Sequence, residues 1–434
     1  MPPFFKDQCI FAKIRETTHR LVGRMRLGEA GRKKFSLGAI FFTFFMDYLS
    51  WSIVFPIFAP YFLNPENGVL PAEATLATRT TYLGLFLGAF SLGQFLGAPF
   101  LGDYADRHGR KKALAISVFC TILGLALTAW SMGADALIFL FAGRFITGFF
   151  ASNTSICLAC IADLKKGVNQ RAKHFSHISL LGGISFLSGA FLGGKLSDPT
   201  FNASFFPSLP LWISAALTLL NFVFIVFGFS ENAPLKIQGK FDVLHACKNI
   251  AEALRTKKIK TIYALYFLFL FAWTIILQFT PVLMVRKFSF TNSNIGDLAL
   301  FMGVFWALGS GGLSKLLRAR FSSLKVLEIS LLGFTLLSVL MIFPLYIYEV
   351  LALVAGCVTI AGVAWPFCNA LISTTAPNES QGKILGISQS VQSLATTIAP
   401  IIGGLVSHLF LGSCFLLGAL ASLIAAVLYF SLKE

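Results

Sequence analysis

The sequence has 434 residues, of which 56% are apolar and 12% are charged, and its formal net charge is +16. Soluble domains carry roughly 25% charged residues, so this composition excludes an ordinary soluble enzyme and favours a protein buried in a membrane. A net charge this positive can indicate nucleic-acid binding, but its distribution along the chain does not. We find 30 of the 35 Lys and Arg residues in 1–34, 103–112, 163–173, 230–260 and 315–325 and at Lys383 and Lys433.

Long apolar runs predict twelve membrane-spanning helices, because about 20 apolar residues cross a bilayer. The predicted spans are 35–62, 80–103, 112–131, 135–162, 173–196, 208–229, 261–286, 294–317, 324–346, 348–372, 382–408 and 410–432. We therefore expect an all-α membrane protein with two six-helix bundles. The predicted segments are a basic N-terminal segment (1–34), a first bundle (35–229), a linker (230–260) and a second bundle (261–434).

The basic segments all fall on one side of this twelve-span topology. Because loops rich in Lys and Arg stay in the cytoplasm, both termini and the linker are predicted to be cytoplasmic. The first apolar run begins near Phe35, is longer than the apolar region of a signal peptide and contains Asp47, so we expect it to be a span and not a cleaved signal.

The turn between the second and third predicted spans reads GDYADRHGRKK and covers residues 102–112. It resembles the signature loop of the major facilitator superfamily, G-x-L-x-D-R-x-G-R-[KR], with Tyr104 in the Leu position. The matching residues are Gly102, Asp106, Arg107, Gly109, Arg110 and Lys111. The resemblance implies a transporter that works by alternating access, in which this loop controls the conformation.

The same resemblance places span two beside span eleven at the cytoplasmic surface. Asp106 would then face the positive N-terminus of span eleven, and Gly102 would keep the two backbones close. Asp163, at the end of span four, could exchange partners with Arg107 or Arg110. A surface ion pair is the alternative for Asp163.

Two charged residues are predicted near the middle of the membrane. At about 1.5 Å of rise per residue, Asp47 in span one and Arg144 in span four reach similar depths. Either charge alone would be costly there, so we expect a pair or a shared water-filled cavity. The functional interpretation is a transport and proton-coupling site, and the alternative is a structural salt bridge.

Two further motifs bear on the direction of transport. Arg144 followed by Gly148 resembles the fourth-helix motif of the proton-coupled drug exporters, in which this arginine is implicated in proton transfer. Span five departs from the exporters' G-x-x-x-G-P-x-x-G-G motif. It has Ser185 in place of the first glycine and Ala190 in place of the proline, but keeps a glycine at 189, 193 and 194. Close helix packing is still expected there.

Polar and aromatic side chains at comparable depths predict a cavity for an amphiphilic organic substrate. The candidates are Trp51, Gln94, Asn153, Trp273, Gln278, Trp365, Asn369, Gln389 and Gln392. For each of them, an interhelical hydrogen bond or packing against lipid is the alternative.

The two halves of the chain also resemble each other. Gly193-Gly194 in span five corresponds to Gly403-Gly404 in span eleven, and Pro56 in span one corresponds to Pro281 in span seven. Repeated halves are how many transporters build a site that opens to each side in turn.

The sequence therefore predicts a secondary transporter that exports a drug-like solute in exchange for protons, most like the twelve-span drug/proton antiporters. The first alternative is uptake of a nutrient, metabolite or siderophore, and the second is a membrane sensor that does not transport. We expect no catalytic residues, cofactor or metal, no nucleic-acid partner and a monomer. The expected partners are a small-molecule substrate, protons or another ion, and the bilayer, which we expect to be a bacterial cytoplasmic membrane.

Overall fold

The computed structural model describes residues 29–66, 69–151, 153, 156–157, 160, 168–229, 257–343, 346–374 and 381–431. Within these residues all regular secondary structure is helical. The helices of the first half are α1 (Glu29–Ser52), α2 (Phe55–Leu63), α3 (Leu76–His108), α4 (Arg110–Gly133), α5 (Leu137–Phe150), α6 (Val168–Leu196) and α7 (Leu209–Gly228). Those of the second half are α8 (Lys257–Phe288), α9 (Asn292–Ala307), α10 (Ser314–Arg320), α11 (Ser323–Leu340), α12 (Ile347–Thr374), α13 (Gln381–Val406) and α14 (Ser413–Phe430). A π-helical segment, Leu308–Leu313, joins α9 to α10.

The predicted class, an all-α membrane protein, is confirmed. In the part of the chain that the structure describes, 8 helices are long and apolar enough to cross a membrane, and Leu137–Phe150 and Leu181–Leu196 are shorter apolar helices. The count of twelve spans stays a prediction. Helix α1 already begins at Glu29, and the rest of the predicted N-terminal segment and most of the linker lie outside the described residues.

Large apolar side chains cover the outer surface of the molecule. Helix α7 exposes 50% of Leu219 and 44% of Phe227, and α14 exposes 59% of Val427. Water would penalise such continuous apolar faces, whereas lipid does not. The pattern is therefore that of helices that pack inward with one face and contact the bilayer with the other.

Local sequence signals fix where several helices begin. The hydroxyl of Thr75 accepts a hydrogen bond from the N–H of Thr78 at the start of α3. Thr291 and Asn294 form a capping box at the start of α9. Each satisfies N–H groups that the first turn of a helix leaves without partners. The first predicted span is interrupted between α1 and α2, because Pro56 cannot donate the hydrogen bond that would continue the helix.

The predicted eleven-residue signature loop is almost entirely helical. Helix α3 runs to His108 and α4 starts at Arg110, so the turn is a single residue, Gly109, with a φ of 97° that glycine adopts without strain. Ion pairs one helical turn apart support both helix ends. Arg107 binds Asp103 at 2.7 Å, and Arg110 binds Asp106 at 3.0 Å.

The two halves meet along four helix pairs: α3 with α13, α6 with α9, and α2 with both α8 and α9. Glycines make the closest approaches. A Cβ added to Gly84 of α3 would lie 2.8 Å from the Cα of Gly404 of α13, and one added to Gly194 of α6 would lie 2.7 Å from the Cα of Gly296 of α9. Main chain therefore packs on main chain at both contacts.

The resemblance between the halves is confirmed in three dimensions. Gly193 packs against Ile53 within the first half, while its neighbour Gly194 packs against the second half. Correspondingly, Gly403 packs against Phe279 within the second half, while Gly404 packs against the first. Each Gly-Gly pair thus joins its helix to its own half and to the other half at once.

These glycine contacts lie on the membrane side away from Gly109, which we call the opposite face; the side that carries Gly109 is the signature face. On the signature face, an added Cβ at Gly102 would meet no atom within 4 Å. The close approach to span eleven predicted for Gly102 is therefore absent. The halves are closed together on the opposite face, and this conformation does not use the predicted contact.

Candidate transport site

Asp47 of α1 lies at one end of a short chain of polar side chains that reaches α4 through Asn153. Its side chain is 6% exposed, and Oδ1 accepts a hydrogen bond of 3.2 Å from the amide of Asn153. The hydroxyl of Ser117 on α4 donates in turn to Oδ1 of Asn153 at 2.5 Å. The second carboxylate oxygen of Asp47 is buried and has no hydrogen-bond partner among the described residues.

Arg144 of α5 is also buried, with 4% of its surface exposed. The centre of its guanidinium lies 4.3 Å from the ring centroid of Phe90 and 5.6 Å from that of Phe86. Its Nε has no hydrogen-bond acceptor within the described part of the chain. The cation therefore lies over two rings of α3, which stabilise its charge without accepting a conventional hydrogen bond from it.

The predicted Asp47–Arg144 ion pair is absent from this structure. Among the described residues, ion pairs join Arg107 to Asp103, Arg110 to Asp106, Lys195 to Asp297 and Lys325 to Glu328. Counting residues along each helix predicted a similar depth for Asp47 and Arg144. It did not predict the direction in which each side chain points around its helix axis. The carboxylate turns toward Asn153, and the guanidinium turns toward α3.

Arg144 borders a cavity between the halves. Two of the predicted cavity residues, Trp51 and Gln278, also line it. The remaining walls are formed by Ser52, Val54, Phe55, Phe58, Ala59, Leu83, Leu87, Phe186 and Leu277. The Trp51 and Phe186 ring centroids are 5.3 Å apart, and the Gln278 carbonyl oxygen is buried without a donor among the described residues. The cavity is thus aromatic, with one cation and one free acceptor.

Three other predicted cavity residues gather in the second half instead. Trp273 and Trp365 both pack against Trp306, with centroid distances of 4.9 and 6.0 Å. Asn369 donates to the carbonyl of Trp365 at 3.0 Å. Trp306 lies two residues before the start of the π-helical segment, a local widening that often marks functional sites. These residues form an aromatic cluster separate from the Arg144 cavity.

The other amides do not reach the cavity wall. Asn153 is fully buried beside Asp47, where it positions the carboxylate. Gln94 and Gln392 are half-buried, and Gln389 is exposed. In this conformation these three glutamines do not line the substrate cavity as predicted. The alternative, that they pack or form hydrogen bonds elsewhere, fits better.

The signature residues take local roles here. Asp106 is exposed and pairs with Arg110 of the next helix and not with the N-terminus of α13. Arg107 pairs with Asp103, an i, i+4 spacing that the sequence displayed and our prediction overlooked. Asp163 lies outside the described residues. The predicted contact with span eleven remains a prediction for another conformation.

The altered span-five motif still packs closely. The hydroxyl of Ser185 bonds to the carbonyl of Phe45 on α1. A Cβ added to Gly189 would lie 2.7 Å from the carbonyl oxygen of Leu49. The predicted packing role of this motif is therefore confirmed, with a serine hydrogen bond in place of the first glycine.

Polar side chains reinforce closure on the opposite face. Asp198, 3% exposed, accepts 2.9 Å hydrogen bonds from the N–H of Thr200 and from that of Ser293 in the first turn of α9. Burial raises the pKa of this carboxyl, but hydrogen bonds from Thr200, Thr291 and Ser293 outweigh burial and hold the pKa below its usual value. Beside it, Lys195 binds Asp297 at 2.8 Å. The first half thus caps a helix of the second.

Several site residues were not predicted. The rings of Phe86 and Phe90 contact Arg144 directly, Ser117 reaches Asp47 only through Asn153, and Phe58 and Phe186 line the cavity. With 47 Phe residues in the chain, a single phenylalanine gives no signal. The break before Pro56 could have directed attention to its neighbourhood, because interrupted spans often border transport sites.

The fold, the buried charges and the cavity between two related halves define a membrane transporter of small molecules. The model of the Major Facilitator Superfamily matches residues 40–360 and 316–434. The chain therefore belongs to the Major Facilitator Superfamily.

Individual relatives agree with this assignment. The chain is 27% identical over 362 residues to the tetracycline resistance protein, class C, of Escherichia coli, covering 80% of this chain and 85% of the relative. It is 23% identical to mouse major facilitator superfamily domain-containing protein 10, covering 91% and 92%. Its fold resembles the inward-facing, unoccupied crystal structure of a bacterial homologue of the human lysosomal transporter Spinster, with a TM-score of 0.73, 14% identity and coverage of 94% and 98%.

Proposed function

We propose that this transporter exports an amphiphilic organic solute in exchange for protons, and that Asp47 carries the proton. The single observation that supports this role is the environment of Asp47: the carboxyl is buried, with one amide donor and one oxygen without a partner. A buried carboxylate without a cation is costly, and taking up a proton removes the charge. The similarity to a tetracycline resistance protein supports export of a drug-like solute.

Alternating access supplies the route. With the opposite face closed by the Gly84–Gly404 and Gly194–Gly296 contacts, the cavity would load from the signature face. We propose that the signature residues act when the halves rock the other way. Asp106 would then approach the N-terminus of α13, and Gly102 would permit the close contact. Arg107, Gly109, Arg110 and Asp163 would complete this gate.

We further propose that the protein lies in a bacterial cytoplasmic membrane with the signature face inside. The positive charge of the predicted cytoplasmic segments supports this orientation, and bacterial relatives support the membrane. In this arrangement a proton gradient directed inward would drive export.

The experiment is proton-driven uptake of a fluorescent amphiphile into everted vesicles, in which an exporter accumulates its substrate. Asp47→Asn should abolish accumulation while the protein remains folded in the membrane, because the amide has the carboxyl's shape but cannot carry the proton. Glu66→Gln, in the exposed loop after α2, is the matched control and should transport normally. Normal rate and pH dependence in Asp47→Asn would contradict the proposal.

The same vesicles separate the alternatives. An uptake transporter would accumulate its substrate in right-side-out and not in everted vesicles. A sensor would move solute in neither preparation. Either outcome would replace export as the function.

A further inference from the structure

Arg144 is a buried cation whose N–H groups have no acceptor among the described residues, and in this it differs from Arg79, which is also buried in the first half. Arg79 is as buried as Arg144, at 3% and 4% exposure. The guanidinium of Arg79 donates to the carbonyls of five residues: Phe62, Asn64, Pro71, Ala72 and Ala74. Arg144 donates to none in the described part of the chain. The described residues therefore satisfy the guanidinium of Arg79 and supply no acceptor to that of Arg144.

The acid at similar depth does not fill this gap. Oδ1 of Asp47 accepts a hydrogen bond from Asn153, which in turn accepts one from Ser117, so the carboxylate is directed toward Asn153 and forms no ion pair with Arg144. A buried guanidinium without an anion carries a large desolvation cost. An anion brought by the solute would remove that cost.

The aromatic contacts of Arg144 leave the required donors available. The central carbon of the guanidinium lies over the rings of Phe86 and Phe90, and neither ring offers its N–H groups a conventional hydrogen-bond acceptor. A cation–π contact stabilises the charge without using these donors. The donors can therefore form the bidentate contact that a planar guanidinium makes with a carboxylate.

The rest of the cavity describes the body of the ligand. Trp51 and Phe186 offer aromatic surfaces, and Phe55 lies 6.2 Å from Phe186. The carbonyl of Gln278 offers one unoccupied acceptor. An inorganic anion would contact the arginine alone, whereas an aromatic acid would use all of these surfaces.

We propose, resting on the function proposed above, that the transported solute is an aromatic organic anion whose carboxylate binds Arg144. Its ring packs against Trp51 and Phe186, and a donor on the ring can reach Gln278. A neutral solute of the same shape leaves Arg144 without an acceptor and binds more weakly.

The test is ligand binding to the purified full-length protein without any proton gradient, measured as thermal stabilisation. The probes are benzoate, 2-naphthoate and 4-biphenylcarboxylate, each compared with its own neutral amide and with sodium chloride alone. We expect at least one carboxylate to bind about tenfold or more tightly than its amide, because a charge-assisted hydrogen bond is lost in the amide. Arg144→Gln should remove this preference, and Arg144→Lys should retain part of it.

The matched control is Arg318→Gln. Arg318 also lies over a ring, 5.5 Å from Phe367, but it is exposed in the second half, so its loss should leave the carboxylate preference unchanged. Equal binding of carboxylates and amides, stabilisation by chloride alone to the same extent, or no binding of any carboxylate would overturn the proposal. If Arg144→Gln fails to fold, the wild-type comparison of acids with amides still decides it.

The binding result also separates this inference from the proposed function. Carboxylate binding without proton-driven movement in vesicles would leave the anion site standing and remove export. Proton-driven export of a neutral or cationic solute, with no preference for carboxylates in binding, would support export and overturn the anion site.

Discussion

Four buried charged residues of this chain differ in the partners that stabilise their charge, and these partners indicate what each residue does. Arg79 donates to backbone carbonyls that belong to the connection between α2 and α3. Asp198 accepts from the first turn of another helix. Among the described residues, Asp47 has one amide donor, and Arg144 has contacts with aromatic rings. The first two charges are satisfied by the protein, whereas each of the last two keeps a polar atom without a described partner, as the proposed proton and ligand roles require.

The role of Arg79 predicts a loss of stability and not of chemistry. Arg79→Lys keeps the charge but cannot reach carbonyls on both sides of the guanidinium, so at least one charged hydrogen bond is lost. Each is worth about 1.5–3 kcal/mol, and we expect a lower melting temperature for the purified protein. Arg318→Lys, at an exposed position, is the control. Equal melting temperatures for Arg79→Lys and the wild type would show that the carbonyl cluster contributes little.

At the scale of residues, the sequence placed Asp47 and Arg144 within helices but could not say which way their side chains point. Their similar depth in the membrane stays a prediction, and the structure adds that both side chains are buried. Their partners could not be predicted, because each residue step turns a side chain by about 100° around a helix of 3.6 residues per turn. The relative rotation of two helices depends on packing elsewhere. The pair Asp103–Arg107 was within reach of prediction, since it lies within one helix.

At the scale of elements, the closed opposite face depends on helix α9 being capped by the first half. Asp198 should therefore stabilise the closed state, and Asp198→Asn should increase the population that is open on this face. Spin labels on cysteines introduced at Asn202 and Leu300, in a cysteine-free background, would report the separation. The control is Glu73→Gln, at an exposed acid on the same face, which should leave the distances unchanged. Unchanged distances in Asp198→Asn would show that this hydrogen bond does not stabilise the closed state.

The lowered pKa of Asp198 predicts how the stability of the closed state changes with pH. Its carboxyl pKa is held below the usual value in the closed state, and in an open state exposed to water it would return to about 3.9. The closed state therefore gains its full stabilisation above the usual pKa and loses it as the pH falls through the depressed value. We expect opening of the wild type only in strong acid, and none between pH 6 and 8 from this group.

The helices themselves were largely predictable, and their ends were less so. The apolar runs located every helix that the structure describes, and the Pro56 and Gly-Gly signals marked the break and the close contacts. Residues 102–112 were predicted as the loop that turns the chain between spans two and three. The charges of these residues instead form ion pairs that extend α3 to His108 and support the start of α4.

At the scale of the whole molecule, the orientation in the membrane is the main prediction. A cysteine introduced at Gln238, in the predicted linker, should react only with a membrane-permeant reagent in intact cells. A cysteine at Asn202, exposed on the opposite face, should react with an impermeant one. Labelling of the Gln238 position by the impermeant reagent would reverse the topology, and with it the direction assigned to transport.

The closed opposite face has one more consequence, for ion tightness. At Gly84–Gly404 and Gly194–Gly296 the barrier consists of main chain against main chain, with no side chain between the two glycines of a pair. Contacts this close offer no room for a file of water molecules, so protons have no continuous hydrogen-bonded path between the paired glycines. Because glycine has no side chain, each pair can also separate without a rotamer change at the glycines themselves. A carrier driven by a proton gradient needs both properties, a barrier that does not leak and a barrier that separates readily, and two pairs of glycines provide them together.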